Sequence, residues 1–263
     1  MLLAQLSDLH VRPQGVTYQN VVDSNRMFTD AIAHLNQLSP RPDVVLITGD
    51  LVDEGSWEEY ATLRKLLSVF EIPYLLMPGN HDDRELLARA FPEHDYLPVT
   101  GPKHFSVERY SVRIIALDTT EPGDHHGSAD EQDIAWLEEA LAASRGTPTV
   151  VAMHHPPVAC GIPYLDKYMC HQPERIEAVI RRYPNVERVL CGHVHRSIVQ
   201  RWAGTVLCSC PSTATQIALQ LRHDSKPQSY LEPPACLLHL WRDGAMVTHM
   251  SYIGRFDGPY PFA

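Results

Sequence analysis

Pro78-Gly79-Asn80-His81-Asp82 closes the apolar run Tyr74-Leu75-Leu76-Met77. The run reads as a buried strand, and Pro-Gly then breaks it and turns the chain. Asn80 and His81 therefore fall on a loop at a strand's end, where open α/β sheets build their sites. An amide oxygen and an imidazole can serve metal binding and proton transfer. Taken alone, the block reads better as a turn with a surface histidine. It is not alone, because Asp8-Leu9-His10, Gly49-Asp50, His154-His155 and Gly192-His193-Val194-His195 each close an apolar run as well.

The elements between these blocks set the fold class. Leu2 to Leu6 is a short strand. Asp8 and His10 are two apart, so in extended backbone both face one side; an N-cap Asp with an incidental His is the alternative for that pair. After a polar loop over 11–22, Met27, Ile32, Leu35 and Leu38 suit an amphipathic helix capped near Asp23 and ended by Pro40 and Pro42. Val44-Val45-Leu46-Ile47-Thr48 reads as a strand covered on both faces. Ser56-Trp57-Glu58-Glu59 is a capping-box start to a helix reaching about Phe70. The order β-α-β-α-β implies parallel strands with right-handed crossovers.

Further on, 82–90 reads as a short helix, and His104–Tyr110 with Val112–Leu117 as a hairpin. Residues 119–129 form a loop whose His125 and His126 are expected to be solvated. Ala129 to Ala143 is helical, with Ile134, Leu137 and Leu141 on one side. Thr149–Met153 is a buried strand, 158–172 a Pro/Gly/Tyr/Cys loop, and Pro173 opens a helix to about Arg182. Val186–Leu190 is a strand. Hairpins are expected around Ala203-Gly204 and Asp243-Gly244. Residues 211–235 lack apolar periodicity and read as an excursion. The expected division is a core of 1–210 with 236–252, an excursion at 211–235, and a tail at 253–263.

The chain has 263 residues with 44% hydrophobic and 21% charged, ordinary for a globular domain. Twenty-two basic against thirty-two acidic side chains give a net charge of −10, which argues against a nucleic acid polymer as partner. A small anion stays possible, because bound ions can outweigh a distant acidic surface. No apolar run reaches the ~18–20 residues a membrane span needs. Met1 to Leu6 lacks a basic leader, so no signal peptide is expected and the expected compartment is the cytoplasm. The six cysteines form no Cys-x-x-Cys pair, so they read as buried thiols; Cys160 and Cys170 flank one loop and could pair.

Five apolar runs ending in Asp, His or Asn converge only if the strand ends lie side by side. Convergence puts Asp8, His10, Asp50, Asn80, His154, His193 and His195 in one cleft. Seven nitrogen and oxygen donors are too many for one zinc-like ion but suit two ions sharing a bridge. The donor types fit Zn, Fe, Mn or Co.

This constellation resembles the calcineurin-like metallophosphoesterase superfamily, whose pattern is Asp-x-His, Gly-Asp, Gly-Asn-His-Asp or Glu, then His, then Gly-His-x-His. All five blocks occur in order between Asp8 and His195. In length and texture the chain looks like bacterial glycerophosphodiesterases and class III cyclic-nucleotide phosphodiesterases. The resemblance implies a four-layer αββα sandwich with a small C-terminal cap or dimerisation excursion. It also implies one ion held by Asp8, His10, Asp50 and His195, and another by Asp50, Asn80, His154 and His193. His81 then acts as acid or electrostatic stabiliser near the phosphate, His155 is structural, and Asp82 and Asp83 cap a helix or support the ligands. The implied activity is phosphodiester hydrolysis of small substrates by a metal-bound hydroxide, in a homodimer or higher homo-oligomer. A phosphomonoesterase with the same metals and a non-catalytic scaffold are the competing readings.

Overall fold

The computed structural model describes residues 1–261, so the last two residues of the expected tail lie outside the described residues. The first half alternates β1 (Leu2–Leu6), α1 (Ser24–Gln37), β2 (Val44–Thr48), α2 (Trp57–Leu67), β3 (Tyr74–Met77) and α3 (Arg84–Ala90). The second half runs β4 (Phe105–Val107), β5 (Arg113–Ala116), α4 (Glu131–Ala142), β6 (Thr149–Ala152), α5 (Pro173–Ile180), β7 (Val186–Cys191), β8 (Ile198–Trp202) and β9 (Thr205–Ser209). The short β10 (Gln216–Ile217) and β11 (Ser229–Tyr230) pair with each other, and β12 (Ala235–Arg242) and β13 (Ala245–Tyr252) form the last hairpin.

Two sheets result. One has the order β13-β12-β1-β2-β3, with β1, β2 and β3 parallel as the alternation requires. The other has the order β4-β5-β6-β7-β9-β8, parallel across β5, β6, β7 and β9.

The period-2 alternation of the second sheet separates its faces. Ile114, Ala116, Val150, Ala152, Leu190 and Cys208 pack into the core shared with Leu6 and Leu46 of the first sheet. Their sequence neighbours Ile115, Val151, Val189 and Cys191 pack instead on Leu137 and Leu141 of α4 and Ile176 and Val179 of α5. On the other side Phe28, Ile32 and Leu35 of α1 and Tyr60 and Leu63 of α2 cover the first sheet. The layers are thus helix, sheet, sheet, helix, as expected. Burying one such side chain contributes ~1.5–3 kcal/mol, and Leu46→Ala at the centre is expected to destabilise by ~2–5 kcal/mol.

Helix limits differ slightly from the sequence reading. Helix α2 carries the expected Ser56/Glu59 capping box but stops at Leu67, where Ser68 turns its hydroxyl back onto the Lys65 carbonyl. In α1 the buried stripe includes Phe28 and Ala31, while Leu38 is the C-cap. Segment 212–215 is buried against the strand ends: the Ser212 hydroxyl donates to the Asp8 carbonyl (2.7 Å) and the Thr213 amide to that of Ser7 (3.3 Å).

Candidate metal centre

Every chemistry-bearing block leaves the carboxyl end of a strand, and the two sheets bring those ends together. The turns are sharp. Asp8, His10, Asp50, His193 and His195 all have left-handed backbones, with φ of 54°, 46°, 50°, 68° and 51°. Such non-glycine conformations are unfavourable and cluster at functional sites, where the surrounding structure enforces them. The close packing also explains two glycines. A Cβ on Gly79 would collide with the Asp50 carboxylate, and one on Gly192 with the Ser7 hydroxyl.

Asp8, His10, Asp50 and His195 each point one donor atom into a common volume, all within 4.8 Å of one another and all buried. His10 Nε2 and His195 Nε2 are 3.1 Å apart. The His195 Nδ1–H donates to the Thr215 carbonyl at 2.8 Å, so its Nε2 presents a bare lone pair to this volume. Asp8 Oδ1 lies 3.5 Å from that nitrogen and Asp50 Oδ2 3.8 Å from His10 Nε2. Acceptors converging in a dry pocket call for a cation between them.

A second set adjoins it. The His154 Nδ1–H donates to the Thr48 carbonyl at 2.7 Å, leaving Nε2 to face Asn80 Oδ1 at 3.2 Å and Asp50 Oδ1 at 3.4 Å. His193 Nδ1 faces the same Asn80 oxygen at 3.0 Å. With His154 neutral, its bare Nε2 meets two acceptor oxygens, a set that a cation between them satisfies. Asp50 thus turns one oxygen to each set, the disposition of a bridge. Burial disfavours its charge, yet His154, His81 and His10 hold its carboxyl well below the usual carboxylate range. Burial lowers His154, but Asp50 overrides it and raises the imidazole to about 9; the pair attracts a positive charge at its centre. Both sets therefore fit a pair of metal ions by donor type and orientation.

The remaining candidates take distinct places. His81 Nδ1–H donates to the Asp53 carbonyl at 2.6 Å, leaving Nε2 as the nitrogen free for the cleft it lines. His155 turns to the Thr119 hydroxyl at 2.9 Å, fully buried, although its ring lies near enough to those of His154 and His193 to share a metal-sized volume. Asp83 caps α3. Asp82 accepts from the amides of Gly79 (2.9 Å) and Leu51 (3.0 Å) and from the Tyr60 hydroxyl (3.0 Å), tying the Asn80 turn to the Asp50 turn.

Three residues were misjudged or missed by sequence reasoning. Asp53 carries no strand-end signature of its own, yet its carboxylate lies 3.3 Å from His10 Nδ1 while its carbonyl holds His81. Arg12, in the polar 11–22 loop, is engaged by Asp53, Glu54 and Glu59 and does not line the cleft. His125, expected to be solvated, is exposed but reaches the site, its Nδ1 lying 3.1 Å from Asn80 Nδ2. His126 stacks on His171 with centroids 3.8 Å apart and pairs with Asp124. Tyr18 stacks on His10 at 4.5 Å, and burial pushes its phenol up.

The cleft above the centre has a volume of about 430 Å³ and is walled by Gln19, Tyr164, Tyr168, Ile217, Gln228 and Ser229. No lysine or arginine lines it among the described residues. All six thiols are free, Cys160 and Cys170 included.

Residues 1–197 match the family model described as calcineurin-like phosphoesterase. The chain is 36% identical over 264 aligned positions to a protein of Arcobacter nitrofigilis named "Probable glycerophosphodiester phosphodiesterase GpdQ", covering 100% of this chain and 97% of that one. It is 31% identical to the glycerophosphodiester phosphodiesterase GpdQ of Enterobacter lignolyticus, over 99% and 94% of the two chains. It is 28% identical to the 3',5'-cyclic adenosine monophosphate phosphodiesterase CpdA of Escherichia coli K12, over 94% and 88%. A dimetal phosphatase structure from Danio rerio superposes with a TM-score of 0.68 over 96% of this chain and 98% of its own; at 13% identity it speaks to the fold alone. With the family model spanning all five strand-end blocks, from Asp8 to His195, this chain belongs to the calcineurin-like phosphoesterase family.

Proposed function

We propose that this chain is a binuclear metal-dependent phosphodiesterase that hydrolyses small phosphodiesters, glycerophosphodiesters or cyclic nucleotides, to a phosphomonoester and an alcohol. The observation that carries the reading is Asp50, whose two oxygens each face one set of donors (3.8 Å to His10 Nε2, 3.4 Å to His154 Nε2). Asp8, His10, Asp50 and His195 would hold one ion, and Asp50, Asn80, His154 and His193 the other. Zn, Fe, Mn and Co all suit these donors. When bound, the ions supply Lewis acidity and a water acidic enough to attack phosphorus at neutral pH.

The chain's own residues do the rest. Thr48 and Thr215 carbonyls fix the tautomers of His154 and His195, so the correct nitrogen faces inward. The Asp53 carbonyl fixes His81, which Asp50 and Asp53 favour as the imidazolium against the effect of burial, so its Nε2–H can be given to the departing alkoxide as the phosphorus–oxygen bond breaks. Diesters are favoured over monoesters on the strength of the relatives, which are named as glycerophosphodiester and cyclic-nucleotide phosphodiesterases. The neutral walls suit one small organic group and not a charged polymer.

The excursion, in its outward part beyond the buried 212–215, is proposed to cap the cleft or to join two copies of the chain. Support comes from exposed Leu219, Leu221, Tyr230 and Leu231, which no core accounts for. A cytoplasmic location completes the reading: the free thiols suit a reducing compartment, and no helix is long and apolar enough to cross a membrane.

The test is relative rates on a glycerophosphodiester, a cyclic nucleotide and a monoester, with metal content measured on the same sample. Diester turnover with two ions per chain is expected. A faster monoester would favour the phosphomonoesterase reading, and metal-loaded protein inert on all three the scaffold.

A further inference from the structure

Each proposed metal set draws ligands from both sheets. Asp8, His10, Asp50 and Asn80 follow β1, β2 and β3, while His154, His193 and His195 follow β6 and β7. The spacing of the two sets therefore depends on how the sheets align at their carboxyl edges. The fully buried Gln5 is among the side chains that span that gap. The Gln5 carboxamide in β1 donates to Thr48 Oγ1 in β2 and to the Cys191 carbonyl in β7 of the opposing sheet, each at 3.0 Å.

The orientation of this carboxamide is fixed from behind. Gln5 Oε1 lies 3.1 Å from His239 Nε2, and His239 Nδ1 lies 2.9 Å from Thr248 Oγ1. The glutamine oxygen can only accept, so His239 donates through Nε2 and accepts from Thr248 through Nδ1. Burial keeps His239 neutral, with its pKa lowered to about 3. A flipped carboxamide would point NH2 at an N–H and an oxygen at the Cys191 carbonyl, so the network admits one orientation.

The three tied points sit just upstream of ligands. Thr48 precedes Gly49-Asp50, Cys191 precedes Gly192-His193, and Thr48 Oγ1 passes its own proton to the Leu6 carbonyl at 3.2 Å, two residues before Asp8. We infer that Gln5, oriented by His239, is a positioning residue that sets the separation of the two metal sites by clamping β1 and β2 to β7. The inference rests on the binuclear reading above.

The experiment titrates Mn²⁺ into the metal-free full chain, wild type and Gln5→Met. Methionine keeps the length and bulk and removes both donors. Outer supports of metal ligands typically change affinity about 10–100-fold. In Gln5→Met the weaker Mn²⁺ affinity is expected to fall about tenfold or more, and the first much less. The electron paramagnetic resonance signal of a coupled manganese pair should give way to uncoupled ions. A residue serving only the core would lower the melting temperature of the metal-free chain and leave affinities and coupling as they are; that result overturns the inference. Should Gln5→Met fail to fold, His239→Leu, which frees the carboxamide to flip, is expected to shift the same readouts in the same direction, and unchanged values there are equally decisive against it. Uptake of a single manganese by the wild type would remove the binuclear reading itself, and this inference with it.

Discussion

His81 and Asp53 are joined through an imidazole Nδ1–H and a main-chain carbonyl 2.6 Å apart, while the Asp53 carboxylate lies 3.3 Å from Nδ1 of His10. One residue thus orients both the proposed proton donor and a proposed metal ligand. The consequence is a separation of roles. His81→Ala should keep both ions and lose activity by about 10²–10⁴-fold, the usual contribution of a general acid or base. Metal analysis of the purified variant checks this, and loss of an ion would make His81 a ligand.

Asp50→Ala should be the most damaging ligand substitution, because it takes an oxygen from both sets at once. Metal content should fall below that of Asp8→Ala or Asn80→Ala prepared in parallel, with turnover lost. Two ions and a near-normal rate in Asp50→Ala would end the bridging assignment.

The two ions should load in sequence. One set has Asp8 to itself and a share of Asp50; the other has only a share of Asp50 beside neutral Asn80 and two histidines. Less negative charge means weaker attraction for a cation. Calorimetric titration of the chelated protein should show two unequal steps, the weaker one weakened further by Asn80→Ala. Two equal affinities would contradict it.

Stability should depend on pH through His239. Its folded-state pKa is lowered to about 3, against about 6.5 in an unfolded chain. Between those values the unfolded chain binds the extra proton, so stability is full above about pH 6.5 and is lost as pH falls towards about 3. From pH 6.5 to 5 the loss is about 2 kcal/mol. Urea unfolding of metal-free protein at pH 7 and pH 5 should show a smaller drop for His239→Leu than for wild type. Equal drops would mean His239 titrates normally in the fold.

Single-stranded DNA should be a poor substrate. The cleft has neutral walls, and the whole chain carries a net charge of −10, so nothing tracks a phosphate backbone. Rates on a small diester and on a long oligonucleotide at equal metal loading compare the two directly.

Much was legible in sequence because it is local. A β-branched run such as Val44–Thr48 is a strand by its own sterics and burial, and it appears with those bounds. Ser56 and Glu59 announce a capping box within four residues, and the box forms. Repetition of Asp, His and Asn at strand ends pointed to one cleft, since parallel strands must deliver their carboxyl ends to one edge. Distances of several turns of chain decided the rest. Nothing in Arg12 reveals that Asp53, Glu54 and Glu59 will claim it before a substrate can. Nothing in the polar 119–129 loop reveals that His125 folds back to Asn80 while His126 stacks on His171. Gln5, an ordinary polar interruption in an apolar run, gains its meaning only when a second sheet places the Cys191 carbonyl 3.0 Å away. Periodicity tells a side chain which face it occupies; only the packing of layers tells it which atom it will meet there.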